Sequence, residues 1–169
     1  GKKEGEYIRY YENGKILSKC NYINDKLEGE YIEYYDDGYI LSKCNYIDDK
    51  REGEYIQYYK NGYISSKCNY INGKKEGEYI TYYGNDNILS KCNYFDDKRE
   101  GEYIEYYKNG GIKTKGKFKG KLMTGKWDFF RQDGSLMRSG SFKNNKQVGE
   151  WITFDSKGKV VKKVQKAVK

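Results

Sequence analysis

Seven glycines, Gly5, Gly29, Gly53, Gly77, Gly101, Gly125 and Gly149, stand 24 residues apart and constrain the fold more than any other feature of the chain. A second glycine follows nine residues later as Gly14, Gly38, Gly62, Gly110, Gly134 and Gly158, with Asp86 in its place in the fourth copy. A fixed period of this length marks a repeat architecture, in which each unit buries its apolar face only by stacking on its neighbours. The chain therefore reads as seven copies of one unit, shown most plainly by Gly29 to Glu52, GEYIEYYDDGYILSKCNYIDDKRE. Nothing like a linker breaks the period, so 1–169 is read as a single elongated domain. Residues 1–110 hold near-identical tyrosine-rich copies, 111–158 a divergent C-terminal part or cap, and 159–169 a basic tail.

Within a copy, EYIRYY (Glu6 to Tyr11) and ILSKCNYI (Ile16 to Ile23) are aromatic and β-branched, with Asn13-Gly14 between them. That is a β-hairpin signal, and it predicts a two-residue type I′ turn whose glycine supplies positive φ. A looser turn, Asn24 to Glu28, returns the chain to the next glycine. The expected fold is all-β: a single-layer antiparallel meander of stacked hairpins, about fourteen strands in about seven 24-residue repeats. A two-residue turn would set Tyr11 opposite Ile16 and Tyr7 opposite Cys20. The packed row is then expected to contain Tyr7, Tyr31, Tyr55, Tyr79, Tyr103, Trp127 and Trp151, together with Ile16, Ile40, Ile64, Ile88, Ile112, Leu136 and Val160.

Cysteine occurs once per copy at Cys20, Cys44, Cys68 and Cys92. Equivalent positions in such a meander lie about 9.6 Å apart, beyond the roughly 7 Å that a disulfide tolerates. A small half-buried side chain is expected there, since Gly116 and Gly140 take the same place later, and thiols on this scale suit a reducing, cytoplasmic setting. No metal and no cofactor are implied. There is no histidine, no phosphate-binding glycine loop, and the paired carboxylates recur at turns, so the chain is read as no enzyme. No apolar run is long enough to span a bilayer and no signal peptide is evident.

Charge is unevenly spread. Residues 1–110 hold 17 basic and 21 acidic side chains, a net −4, whereas residues 111–169 hold 16 and 4, a net +12. An acidic partner for the C-terminal end, or head-to-tail self-association, would suit that asymmetry. Nucleic acid is not an expected partner, because the N-terminal copies are net acidic.

The pattern GEYIxYYxNGxI, followed by an aromatic and a returning glycine, resembles the MORN repeat (membrane occupation and recognition nexus). GKWDFFRQDGSLMRSGSFKNNKQVGEW is similar to the variant form found in bacterial YwqK-type antitoxins. The resemblance covers essentially the whole chain, although the first five copies lack the tryptophan of common MORN units. It implies a twisted sheet of stacked hairpins used for protein contacts, sometimes for self-association and sometimes for lipid, with no catalytic residues. A shorter-period resemblance, to choline-binding cell-wall repeats, is opposed by the period and the thiols.

A protein-binding scaffold is therefore expected, possessing a contact surface made of Tyr7, Tyr11, Tyr31, Tyr35, Tyr55, Tyr59, Tyr79, Tyr83, Tyr103, Tyr107, Trp127 and Trp151. The alternative is peripheral binding to anionic membrane lipid through Lys159, Lys162, Lys163, Lys166 and Lys169. Two conformations are open to that tail: a short helix lined by Val160, Val161, Val164 and Val168, or the second strand of the seventh copy.

Overall fold

The computed structural model describes residues 1–167 and contains two compact units, Gly1–Asp86 and the residues from Asn87 onward. Among the described residues every regular element is a β-strand. The first unit holds β1 (Gly5–Tyr10), β2 (Ile16–Ile23), β3 (Lys26–Leu27), β4 (Gly29–Tyr34), β5 (Ile40–Ile47), β6 (Lys50–Tyr58), β7 (Ile64–Ile71) and β8 (Lys74–Tyr82). The second holds β9 (Ile88–Phe95), β10 (Lys98–Tyr106), β11 (Ile112–Lys119), β12 (Leu122–Phe130), β13 (Leu136–Lys143), β14 (Lys146–Phe154) and β15 (Val160–Lys166). Within each unit successive strands pair antiparallel, so each unit is an all-β meander of stacked hairpins. The short β3 pairs with β2, and Glu28 separates it from β4.

The two kinds of turn are the reverse of the sequence expectation. At Asn13-Gly14 the Tyr11 amide donates to the Lys15 carbonyl at 2.8 Å and the Gly14 amide to the Tyr11 carbonyl at 3.0 Å. This is a three-residue loop, a type I turn closed by a left-handed glycine, Gly14 at φ 80°. Asn13 fixes it by accepting the Lys15 amide on its side-chain oxygen at 3.0 Å, which stabilises a turn without needing positive φ at Asn13 itself. The type I′ turn lies at the other end, where Asn24 and Asp25 have φ of 51° and 69°, Asp48 and Asp49 49° and 65°, and Asn144 and Asn145 51° and 66°. Asn and Asp tolerate this region, and here the copies hold it together. The Asp25 carboxylate accepts the Lys3 amide at 2.6 Å, and Glu4 accepts the Asn24 amide at 2.9 Å. Glu28 and Glu52 do the same for Asp48 and Asn72 at 2.9 and 2.7 Å, so this carboxylate row is structural.

The longer loop shifts the register. Tyr7 does face Cys20, but a bulge intervenes and Ile16 is opposite Tyr10, not Tyr11. The expected packed row is accordingly uneven: Ile40, Ile112 and Val160 are exposed, while Ile16, Ile64, Ile88 and Leu136 are half-buried. A second bulge recurs opposite each cysteine. In β6, Ile56 pairs with Lys43 and Glu52 with Asn45, leaving three residues, Gly53 to Tyr55, across from Cys44. Gly53 at φ 77° makes this bulge possible, which is why the period-setting glycine cannot be another residue without strain.

Alternation then gives each unit a ring face and an isoleucine face. The ring face carries the core: Ser18, Cys20, Ser42, Cys44, Ser66 and Cys68 are buried in the first unit. Tyrosine pairs cover them, Tyr7 with Tyr22 and Tyr55 with Tyr70 edge-on at 5.8 Å and Tyr31 with Tyr46 tilted at 5.4 Å between ring centres. Basic side chains are laid on these rings: Lys3 over Tyr7 and Tyr22, and Arg51 over Tyr55 and Tyr70. In the second unit the rings touch continuously, from Tyr103 through Phe118, Trp127 and Phe142 to Trp151, at 5.1 to 5.8 Å between ring centres. Trp127 and Trp151 are 2% and 1% exposed, and a Cβ on Gly116 or Gly140 would lie 2.1 Å from them. Glycine thus replaces cysteine where tryptophan replaces tyrosine.

The basic tail is a strand. β15 pairs with β14, setting Val164 opposite Trp151 and Lys162 opposite Thr153, so the helical alternative is set aside. Lys169 and Val168 lie outside the described residues.

Candidate binding surfaces

The tyrosines singled out from the sequence divide into two rows with different work. Tyr7, Tyr31, Tyr55, Tyr79, Tyr103, Trp127 and Trp151 form the ring face just described. Tyr7 is 44% exposed at the end of the first unit, whereas the two tryptophans have almost no surface to offer a partner. Tyr11, Tyr35, Tyr59 and Tyr107 are staples between copies. Their hydroxyls donate to the carbonyls of Tyr34, Tyr58, Tyr82 and Phe130 at 2.6 to 2.8 Å, each 23 residues further on. Tyr83 belongs to the same row. In the sixth copy Arg131 replaces the tyrosine and donates to the Phe154 and Asp155 carbonyls. Spacing carries no signal for this role, because a staple and a contact tyrosine recur with the same period.

Exposed apolar groups lie elsewhere. Ile23, Ile47 and Ile71, one per copy on the isoleucine face beside the type I′ turns, are 45%, 52% and 48% exposed. Ile71 borders a groove of about 570 Å³ on that face, floored by Ile80 and Tyr82 and walled by Glu54, Lys67, Asn69, Glu76 and Glu78. Lys67 and Glu54 are ion-paired across it at 2.6 Å. Gly77, a bulge glycine at φ 76°, contributes no side chain to the groove and keeps it open. The groove combines an apolar floor with an acidic rim, and it recruits isoleucines that sequence patterning assigned to neither surface.

A second groove, of about 440 Å³, lies on the ring face of the second unit. Met137, Val164 and Trp151 form its apolar part, and Arg138, Lys162, Lys166 and Thr153 its polar part. The Arg138 guanidinium lies over the Trp151 ring, 4.5 Å from its centre. Among the described residues no carboxylate lines this groove. Of the basic residues named from the tail, Lys162 and Lys166 are brought into it, Lys163 is turned away to Glu150 at 3.3 Å, and Lys159 lies outside it in the preceding turn. Arg138 and Thr153 were missed by sequence reading, yet a signal existed: Arg138 and Lys162 occupy the column that holds Ser18, Ser42, Ser66 and Thr114 in earlier copies.

The cysteines offer little chemistry. Burial raises the thiol pKa of Cys44, with Arg51 opposing, and that of Cys68, with Lys75 opposing. A raised pKa keeps a thiol protonated and poorly nucleophilic. Among the described residues no group of histidine, cysteine, aspartate or glutamate could hold a metal ion. No helix among them is long and apolar enough to cross a membrane.

Compared with known proteins, the chain matches one family model, described as a MORN repeat variant, five times in tandem at residues 3–24, 27–48, 51–72, 75–96 and 99–119. Together these matches cover more than half of the chain, and the sixth and seventh copies lie beyond them. No curated protein matches the chain. The match supports a repeat scaffold and carries nothing on an antitoxin role or a particular partner.

Proposed function

The chain belongs to the MORN repeat variant family, and from that premise we propose that it is a non-catalytic scaffold binding a partner protein along the isoleucine face of its first unit. The observation that carries this reading is the row Ile23, Ile47 and Ile71, each about half exposed and joined at Ile71 to an apolar-floored groove. A row of apolar side chains repeated once per copy offers a partner evenly spaced anchors about 9.6 Å apart. The tyrosines contribute chiefly by holding the copies in register, so the exposed row repeats with fixed geometry. A second copy of the chain is one eligible partner, and a toxin would be another, as the resemblance to YwqK-type repeats implies.

The test is Ile47→Lys with Ile71→Lys. Both side chains are already half in water, so the variant folds with an unchanged urea midpoint. Partner co-purification from the native cell, and any concentration-dependent dimer in light scattering, should be lost. Retention of both would refute the assignment.

Membrane binding is the second reading, favoured by the net +12 of residues 111–169. Each lysine near an anionic surface contributes about 1 kcal/mol. Against it, the β15 lysines divide between the two faces, so one bilayer plane cannot collect them. Liposome flotation decides this. Binding that needs anionic lipid, falls with salt and is lost in Lys162→Gln/Lys163→Gln/Lys166→Gln would establish it and displace the scaffold reading. These substitutions are preferable to removing residues 159–169, because that deletion takes away the strand paired with Trp151.

A further inference from the structure

We infer that the groove on the ring face of the second unit is a carboxylate-binding site, built to take an aspartate or glutamate side chain from an extended acidic segment of a partner protein. The inference goes beyond the isoleucine-face reading: it concerns a different surface, and either can fail without the other. Its basis is a comparison between copies that are 120 residues apart and structurally equivalent.

In the first unit Glu33 lies between Ser18 and Ser42, paired across the sheet with both. The Ser42 hydroxyl donates to the Glu33 carboxylate at 2.9 Å, so the site carries its own anion held by hydroxyl groups. In the last copies the same three positions are Arg138, Thr153 and Lys162, again paired across the sheet in that order. The charge is inverted: two hydroxyls flanking a carboxylate become two cations flanking a hydroxyl. The positions on either side of Thr153 are about 9.6 Å apart in a meander, a span that an arginine and a lysine close from opposite sides on one small anion.

The cations are arranged for such a ligand and not neutralised by the protein. Arg138 is fixed by stacking on Trp151, which leaves the edge of its planar guanidinium, the part that grips carboxylates in pairs of hydrogen bonds, directed away from the ring. Lys166 adds a third positive charge, and among the described residues no acidic side chain lines the groove. A volume of about 440 Å³ suits one or two acidic side chains with their backbone, and Val164 gives their methylenes an apolar wall. A headgroup layer would be met by a flat array of cations; these converge in a cleft. The partner suited to the site is therefore an acidic peptide segment.

Fluorescence polarisation of the full 169-residue chain tests this, the probe being a dye-labelled decapeptide of alternating glutamate and serine. The glutamine–serine peptide, inorganic phosphate and phosphatidylserine vesicles serve as comparisons. The glutamate peptide should bind at low salt and the glutamine peptide should not. Arg138→Gln/Lys162→Gln should weaken binding about tenfold or more, while Lys157→Gln/Lys159→Gln, removing equal charge outside the groove, should cost less than about twofold. Thr153→Glu restores the internal carboxylate and should abolish binding while the urea midpoint holds. Equal losses from the two double variants, or unaltered binding by Thr153→Glu, would overturn the site. Vesicle or phosphate binding with no peptide binding would also overturn it. Peptide binding unaltered by Arg138→Gln/Lys162→Gln would remove the groove and leave the isoleucine-face scaffold standing, since that reading is tested by Ile47→Lys/Ile71→Lys.

Discussion

Gly116→Cys places in the fifth copy the residue that the four preceding copies carry, and by sequence alone it should be harmless. The structure says otherwise. A Cβ at Gly116 falls 2.1 Å from the Trp127 ring, where ordinary contact begins near 3.4 Å. The ring would have to retreat by more than an ångström, and Phe118, Phe142 and Tyr103 pack against it at 5.3 to 5.8 Å between centres. Overpacking of this kind costs roughly 1–3 kcal/mol, and a clash with an indole ring that is 2% exposed belongs at the upper end. Trp127→Tyr alone also destabilises, by leaving a void of the size that costs about 1–3 kcal/mol. The double variant Gly116→Cys/Trp127→Tyr recreates the Cys44 and Tyr55 arrangement of the first unit and should recover most of the loss. Urea unfolding followed by far-ultraviolet circular dichroism would give the cycle, with a favourable coupling of about 2 kcal/mol between the two changes. Additive losses would refute the claim that the two residues are exchanged as a pair.

Three further outcomes follow from the same geometry. Tyr35→Phe removes the hydroxyl bonded to the Tyr58 carbonyl at 2.7 Å and should cost about 0.5–1.5 kcal/mol in urea unfolding, whereas Tyr39→Phe, at a 62% exposed ring, should cost nothing measurable. The buried thiols should react with Ellman's reagent about a hundredfold more slowly in the folded protein than in urea, and all at once when it unfolds. Burial raises the pKa of Cys44, Cys68, Tyr55 and Tyr103, so the folded state favours their protonated forms. The stability this contributes is complete below the unfolded thiol value of about 8.5 and declines as pH rises through the folded values. The urea midpoint should therefore hold from pH 7 to about 8 and fall progressively above about pH 9.

The hairpin architecture was legible because a 24-residue glycine period and alternating strands leave few other folds. Turn type was not. Asn13-Gly14 is the usual type I′ dipeptide, and the Tyr11 amide bonded to the Lys15 carbonyl shows that the loop takes one more residue. A bulge absorbs that residue locally, pairing Ile16 with Tyr10 while Tyr7 stays opposite Cys20. The cysteine column was read correctly as a small side chain because glycine replaces it, but its link to tryptophan depended on a bulge that leaves no mark except Gly53. Contact tyrosines and staple tyrosines could not be told apart, as spacing is blind to where a hydroxyl ends. Of the tail lysines, Lys162 and Lys166 lie in the basic groove, and Arg138 and Thr153 join them because strand pairing brings β13, β14 and β15 side by side.

The exposed isoleucine row of the first unit is the proposed seat of a partner protein. Site-specific photo-cross-linking in the native cell tests that most directly, with p-benzoylphenylalanine placed at Ile71 or at Tyr63, which is 43% exposed beside an Asn-Gly turn. The result expected is a discrete protein adduct from position 71 and none from position 63. An adduct from position 63 alone, or lipid adducts from position 71, would contradict it.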